Sequence, residues 1–85
     1  MPAVTLPADT PTIIHTWTKG SAESPVSVAV WTDDTDVYLA ENSDDADATN
    51  GYPLDSQIAV TGTVGQVLWG YSTAGGEVRT LILGA

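Results

Sequence analysis

The chain has 85 residues, no cysteine, and eleven acidic residues against two basic ones, Lys19 and Arg79, which give a formal net charge of −9. The missing cysteines exclude disulfides and thiolate metal sites, and a chain of this length forms one domain with a small core. The acidic balance argues against nucleic acid and against an anionic membrane surface as partners, because both are bound through basic residues.

Three of the first eleven residues are prolines. Proline cannot donate a hydrogen bond to a β-ladder, and it biases the residue before it toward extended backbone. We therefore predict an extended N-terminal arm over residues 1–11, followed by a single β domain over residues 12–85. Val4 and Leu6 give the arm side chains to bury, and we expect them to contact a surface outside the domain.

The next two segments read as strands. Thr12–Thr18 is rich in β-branched and aromatic residues and predicts a strand with Ile13, His15 and Trp17 on one face. Val26–Trp31 alternates valine with other residues, which predicts a strand with the valines on one face and Ser27, Ala29 and Trp31 on the other.

Four more strands are predicted between clusters of glycine, proline, asparagine and aspartate. They cover residues 36–41, 57–61, 66–71 and 78–83. In the first of these Val37 and Leu39 point inward, and in the second Ile58 and Val60 share a face.

The end of the last predicted strand breaks the alternation, since Leu81, Ile82 and Leu83 are all aliphatic. Such a run predicts burial on both faces, by a second sheet or by a partner. Residues 72–76 before this strand contain a Gly-Gly pair and predict a hairpin loop.

No window of the chain repeats apolar residues with the period of a helix. Short strands at close spacing predict an all-β fold, a small antiparallel β-sandwich or barrel of about six strands with the extended N-terminal arm.

The segment Glu41–Asn50 is acidic and rich in turn-forming residues. Clustered oxygen ligands suit calcium, but the spacing does not fit the helical calcium-binding loop. With Asp45 as first ligand, Asn50 stands where glycine is required and Ser56 where glutamate is required. We expect a loop that faces solvent or a basic partner, and no metal or other cofactor; an irregular calcium site is the alternative.

His15 is the only histidine, and the chain shows no nucleophile elbow, Gly-rich phosphate-binding loop or metal-ligand spacing. The carboxylate pairs fall in loops, and a chain this short leaves little scaffold for a sugar-cleaving cleft. We therefore expect that the protein is not an enzyme and has no catalytic residues.

The chain has three tryptophans and three tyrosines but no phenylalanine, so every aromatic side chain carries a polar group. This composition suits surfaces that are partly wet, such as subunit contacts or sugar-binding platforms, while two or three of these rings would serve the core. The candidate interface residues are Val4, Leu6, Trp17, Trp31, Tyr52, Trp69 and Tyr71.

About half of the chain resembles small structural proteins of tailed bacteriophages. The resemblance rests on the strand Val37-Tyr38-Leu39, the segment Gly51-Tyr52-Pro53-Leu54, the aromatic strand Leu68-Trp69-Gly70 and the closing strand 78–83. It implies a virion accessory protein, foremost a head decoration protein that docks on the outer surface of a capsid and stabilises it. A component of the neck, tail or head-fibre base would look similar, and a carbohydrate-binding or adhesin-type β module is the alternative of another class.

The resemblance implies the major capsid protein or another virion protein as partner. A small disulfide-free domain also predicts a homo-oligomer, with a trimer as the first expectation. The N-terminal residues lack the basic and apolar regions of a secretory signal, so we expect assembly in a cytoplasm. The resemblance implies that this is the host cytoplasm and that the final location is the virion.

Overall fold

The computed structural model describes residues 3–83 and shows eight β-strands and no helix in that range. In chain order they are β1 (Ala3–Leu6), β2 (Thr12–Thr16), β3 (Val26–Trp31), β4 (Tyr38–Ala40), β5 (Tyr52–Pro53), β6 (Gln57–Gly62), β7 (Val67–Tyr71) and β8 (Gly76–Ile82). They form two antiparallel sheets: sheet I in the order β1-β8-β3-β6, and sheet II in the order β2-β7-β4-β5. The predicted all-β sandwich is confirmed, with eight strands instead of about six.

The two additional strands lie where the sequence pattern is weakest. β5 has two residues, one of them Pro53. β1 falls inside the proline-rich segment, pairs with β8, and buries Leu6 to 1% exposure. The prediction of a separate arm over residues 1–11 is therefore corrected for Ala3–Leu6, which is an edge strand of the domain itself. Met1 and Pro2 lie outside the described residues.

The predicted face of β2 is wrong because a β-bulge interrupts the strand. The register with β7 shifts between Ile13 and His15, and Ile14 takes the core position at 6% exposure. Ile13 turns outward and is 48% exposed, and His15 is half-buried. The reason lies across the ladder at Gly70, where a Cβ would stand 2.8 Å from Ile14 Cγ1. Only a residue without a side chain leaves room for Ile14 there.

The core lies between the two sheets. The alternation of β3 is confirmed, since Val26, Val28 and Val30 are all buried. Val37 and Leu39 are buried as predicted, and Ile58 and Val60 pack against the core from β6 while staying half-buried. The buried cluster consists of Leu6, Ile14, Trp17, Val26, Val28, Val30, Val37, Leu39, Leu54, Leu68 and Val78.

The chain crosses between the sheets at most of its connections. Residues 72–75 lead from β7 in sheet II to β8 in sheet I, so the predicted hairpin over residues 72–76 is wrong. The turn is held instead by Asp36, whose carboxylate accepts a hydrogen bond from the Ala74 N–H at 3.2 Å. Gly75 has a φ of 89°, a left-handed conformation that glycine adopts without steric cost.

The aliphatic end of β8 is not covered by either sheet. Leu81, Ile82 and Leu83 are 44%, 59% and 55% exposed. Burial by a second sheet is therefore wrong for these residues, because the buried positions of β8 end with Val78 and Thr80. Burial by a partner stays a prediction.

Candidate functional site

Almost all charged side chains lie in the connections between strands and not in the sheets. Glu77 and Arg79 are the only charged residues within the described strands, and the other ten of the eleven acidic residues lie in connections. Arg79 lies 3.3 Å from Glu77 and 3.9 Å from Asp33, in two exposed ion pairs. The faces and edges of the sheets are therefore nearly neutral. Another protein can contact them without desolvating carboxylates, which is the costly step in burying an acidic surface.

One end of sheet I carries exposed aliphatic side chains. Leu81 on β8 lies opposite Ala29 on β3, and Ala29 lies opposite Ala59 on β6. Residues directly opposite one another in a sheet share a face, so these three lie on the outer face. Leu83 follows Leu81 by two residues and is exposed on the same face, whereas Ile82 lies opposite inward Val28 and is exposed at the end of the sandwich. We call Leu81, Ile82 and Leu83 the β8 end. Contiguous exposed apolar side chains on a small domain mark contact surfaces.

Four of the seven predicted interface residues serve the domain's own interior. Leu6, Trp17 and Tyr71 are 1%, 3% and 8% exposed, and Val4 is half-buried against the core. Trp17 lies beyond the end of β2, and its indole Nε1 donates a hydrogen bond to the Val26 carbonyl at 2.9 Å. These side chains offer little free surface to a partner.

The other three keep accessible surface but are not brought together. Trp31 is half-buried on the outer face of sheet I, and Trp69 is half-buried on the outer face of sheet II. Tyr52 is 60% exposed at the edge strand β5. The structure therefore does not join the predicted residues into one aromatic patch. Whether each of them contacts a partner stays a prediction.

Tyr71 and Asp9 connect two loops on the same side of the sandwich. The Tyr71 hydroxyl donates a hydrogen bond to the Asp9 carboxylate, and this bond is the main cause that raises the pKa of Tyr71 above its usual value. Asp9 has a φ of 54°, and its N–H donates to the Ser72 carbonyl at 2.8 Å. This arrangement fixes the β1–β2 connection to the β7–β8 connection.

The acidic loop of residues 41–50 uses its carboxylates to form turns. Asp47 Oδ1 accepts hydrogen bonds from the N–H groups of Thr49 at 2.9 Å and Asn50 at 2.6 Å. Asp45 accepts one from the Asn42 side-chain amide at 3.0 Å. Short acidic side chains that bond to nearby backbone are typical turn formers.

A cavity of about 260 Å³ lies beside the only arginine. Trp31 and Arg79 are cross-strand neighbours at its base. The Asp34 carboxylate on its rim accepts a hydrogen bond from the Glu77 N–H at 2.9 Å. The remaining lining residues are Thr32 and Asp33. An indole beside charged donors and acceptors is suited to a polar ring-shaped ligand.

A second, apolar groove of about 150 Å³ opens along the side of the sandwich where β6 lies next to β4 and β5. Its lining comprises Leu39, Ala40, Glu41, Tyr52, Ile58, Val60 and Leu68. Sequence reasoning does not identify this groove, because it depends on which strands form the edges. One signal points toward it: residues 56–76 are the longest stretch of the chain without any charged residue.

No group of three or more histidine, cysteine or acidic side chains suited to hold a metal occurs within residues 3–83. None of the secondary structure in this range is a helix long and apolar enough to cross a membrane. Comparison of the chain with protein-family models, with curated proteins and with solved structures gave no match.

Proposed function

We propose that this chain is a non-enzymatic virion structural protein, a head decoration protein that docks on the outside of a phage capsid and stabilises it. The observation that carries the proposal is the exposed β8 end, three consecutive aliphatic residues on a sheet whose only charged strand residues are Glu77 and Arg79. Burying such side chains against a partner removes apolar area from water and favours binding.

The partner that fits this surface is a capsid protein with an apolar patch surrounded by lysine or arginine. The docking chain carries its net charge of −9 in loops around neutral strands, so a basic rim would attract those loops while the apolar patch covers the β8 end. Docking at every repeat of a symmetric shell lets many weak contacts act together. A small domain also gains stability from any partner that binds only its folded form.

The test is binding of the purified chain to capsids assembled without it, followed by co-sedimentation. Replacing Leu81 and Leu83 with serine should weaken binding by at least about tenfold, because it removes exposed apolar area. The matched control is Val64→Ser, which changes an aliphatic residue that is 63% exposed in the β6–β7 connection. It should leave binding unchanged.

Binding of the wild-type chain to tails or necks but not to heads would assign the protein to the tail or neck instead of the head. Unchanged capsid binding by the double serine variant would show that the β8 end does not contact the capsid.

The cavity at Trp31 and Arg79 favours a second candidate function, binding of a carbohydrate. The flat face of the indole suits the C–H face of a sugar ring, and Arg79 and Asp34 supply a donor and an acceptor for its hydroxyls. Titration with a panel of oligosaccharides while tryptophan fluorescence is monitored tests this candidate. Trp31→Ala should abolish a binding signal and Trp69→Ala should retain it; no signal with any sugar rejects the candidate.

A further inference from the structure

We propose that β6 is the edge through which two copies of this chain associate, by antiparallel pairing of β6 with β6 of a second copy. The proposal goes beyond the proposed function and names the strand that carries the self-association expected from the sequence. It gives a dimer with a twofold axis, in contrast to the trimer expected from composition alone.

The first argument comes from the four edge strands of the described sheets. An edge strand exposes unpaired backbone groups, and proteins normally block such edges with proline, charge, a bulge or shortness. β1 has four residues and is followed by Pro7, β2 carries the bulge and is preceded by Pro11, and β5 has two residues including Pro53. Each of these three edges is therefore poorly suited to pair with another strand.

β6 has none of these protective features. It has six residues, Gln57–Gly62, without proline and without charge. Its register with β3 is continuous from Val26–Gly62 to Trp31–Gln57, so no bulge turns it away. Within residues 3–83 it pairs with β3 alone, which leaves the backbone groups on its other side available to a further strand.

The second argument is that β6 is complementary to itself. Two strands that continue one sheet must match inward residues with inward ones. Antiparallel pairing centred on Ala59 places Ile58 opposite Val60 of the second copy on the inner side. On the outer side it places Gln57 opposite Thr61. Both kinds of pair are compatible, apolar with apolar and uncharged polar with uncharged polar.

The third argument concerns charge and the apolar groove. Two copies of net charge −9 repel each other wherever their loops meet, and the uncharged stretch 56–76 contains β6. Ile58 and Val60 are half-buried and line the groove together with exposed Tyr52. Pairing through β6 brings the two grooves side by side, so these side chains gain apolar contact on dimerisation.

The test is sedimentation of the isolated full chain, with Ala59→Lys and Ala59→Glu as paired variants. Ala59 is exposed, so both variants should keep the wild-type far-ultraviolet spectrum and melting temperature. The wild type should form a dimer that strengthens as added salt screens the repulsion between copies. Each variant alone should dimerise at least about tenfold more weakly, because it places like charges opposite each other. An equimolar mixture of the two should restore a dimer.

The matched control is Thr5→Lys, an exposed position on β1 at the opposite edge of the same sheet, which should dimerise like the wild type. A wild-type chain that is monomeric at about 1 mM, or that forms a trimer, would overturn the proposal. So would an Ala59→Lys variant that dimerises normally. Capsid binding is measured separately, so a monomer that still binds capsids rejects the β6 contact alone, and a dimer that does not bind them rejects the decoration function alone.

Discussion

The Tyr71 hydroxyl donates a hydrogen bond to the Asp9 carboxylate and thereby ties the last residue of β7 to the turn after β1. Tyr71 is 8% exposed, and Asp9 stands in a left-handed conformation with φ of 54°. The bond joins two connections that lie more than sixty residues apart in the chain. It fixes the N-terminal edge strand to the rest of the sandwich, and it depends on a protonated phenol.

Replacing Tyr71 with phenylalanine should lower the free energy of unfolding at neutral pH, because it removes the hydrogen bond to Asp9. The bond raises the pKa of Tyr71 in the folded chain. Its contribution is therefore fully present below the unfolded-state pKa of tyrosine and is lost as the pH rises through the folded-state pKa. Urea denaturation of both proteins at neutral pH and above about pH 10 measures this difference.

Tyr52→Phe is the control, since Tyr52 is 60% exposed, and it should leave stability nearly unchanged at both pH values. A Tyr71→Phe difference that stays constant through the alkaline range would show that the loss comes from packing and not from the hydroxyl.

The sequence predicts the strands whose patterns arise locally. β3 alternates because one face is buried along its whole length, and Val26, Val28 and Val30 show it plainly. Strand order has no such local signal, because five of the six strand pairs join strands that are not consecutive in the chain. The bulge in β2 also escapes prediction, since it depends on Gly70 across the ladder.

For the candidate contact surfaces the sequence supplies the residues but not their surroundings. The run of Leu81, Ile82 and Leu83 is visible at once, yet its exposure depends on where the buried part of β8 ends, at Thr80. β6 reads as an ordinary half-buried strand, and only its position at the end of sheet I makes it an available edge. Tryptophan is ambiguous in the same way, because Trp17 serves the core while Trp31 lies at a cavity.

The close fit of Ile14 over Gly70 predicts a strongly coupled pair. Gly70→Ala should destabilise the fold by about 1–3 kcal/mol, because the added methyl group overlaps the Ile14 side chain in a packed interior. Ile14→Ala should cost about 2–5 kcal/mol on its own, through the cavity it leaves. The double variant should lose less than the sum of the two, because the methyl group added at position 70 no longer meets the Ile14 side chain. Strictly additive losses in urea denaturation would contradict the predicted overlap.

Trp17 is predicted to stabilise the fold through its indole N–H as well as its ring. Trp17→Phe keeps an aromatic ring but leaves the Val26 carbonyl without its donor, which should cost about 1–3 kcal/mol. Trp69→Phe changes a half-buried tryptophan on the outer face of sheet II and should cost clearly less. Thermal denaturation of the two variants provides the comparison. Equal losses would mean that ring volume, and not the bond to Val26, determines the effect.

In the acidic loop, Asp47 and Asp44 should behave differently although they are three residues apart. Asp47 caps two backbone N–H groups, those of Thr49 and Asn50, whereas Asp44 is exposed. Asp47→Ala should therefore lower the free energy of unfolding by about 1 kcal/mol. Asp44→Ala should change it by less than about 0.5 kcal/mol, since it also removes one charge from a crowded acidic segment.

Thermal denaturation at moderate salt, with and without calcium, measures both effects and tests the alternative role of the loop. We expect calcium to leave the melting temperature unchanged, because the Asp47 carboxylate already serves the loop's own turns. A strong rise in melting temperature with calcium that disappears in Asp47→Ala would assign the loop to ion binding instead.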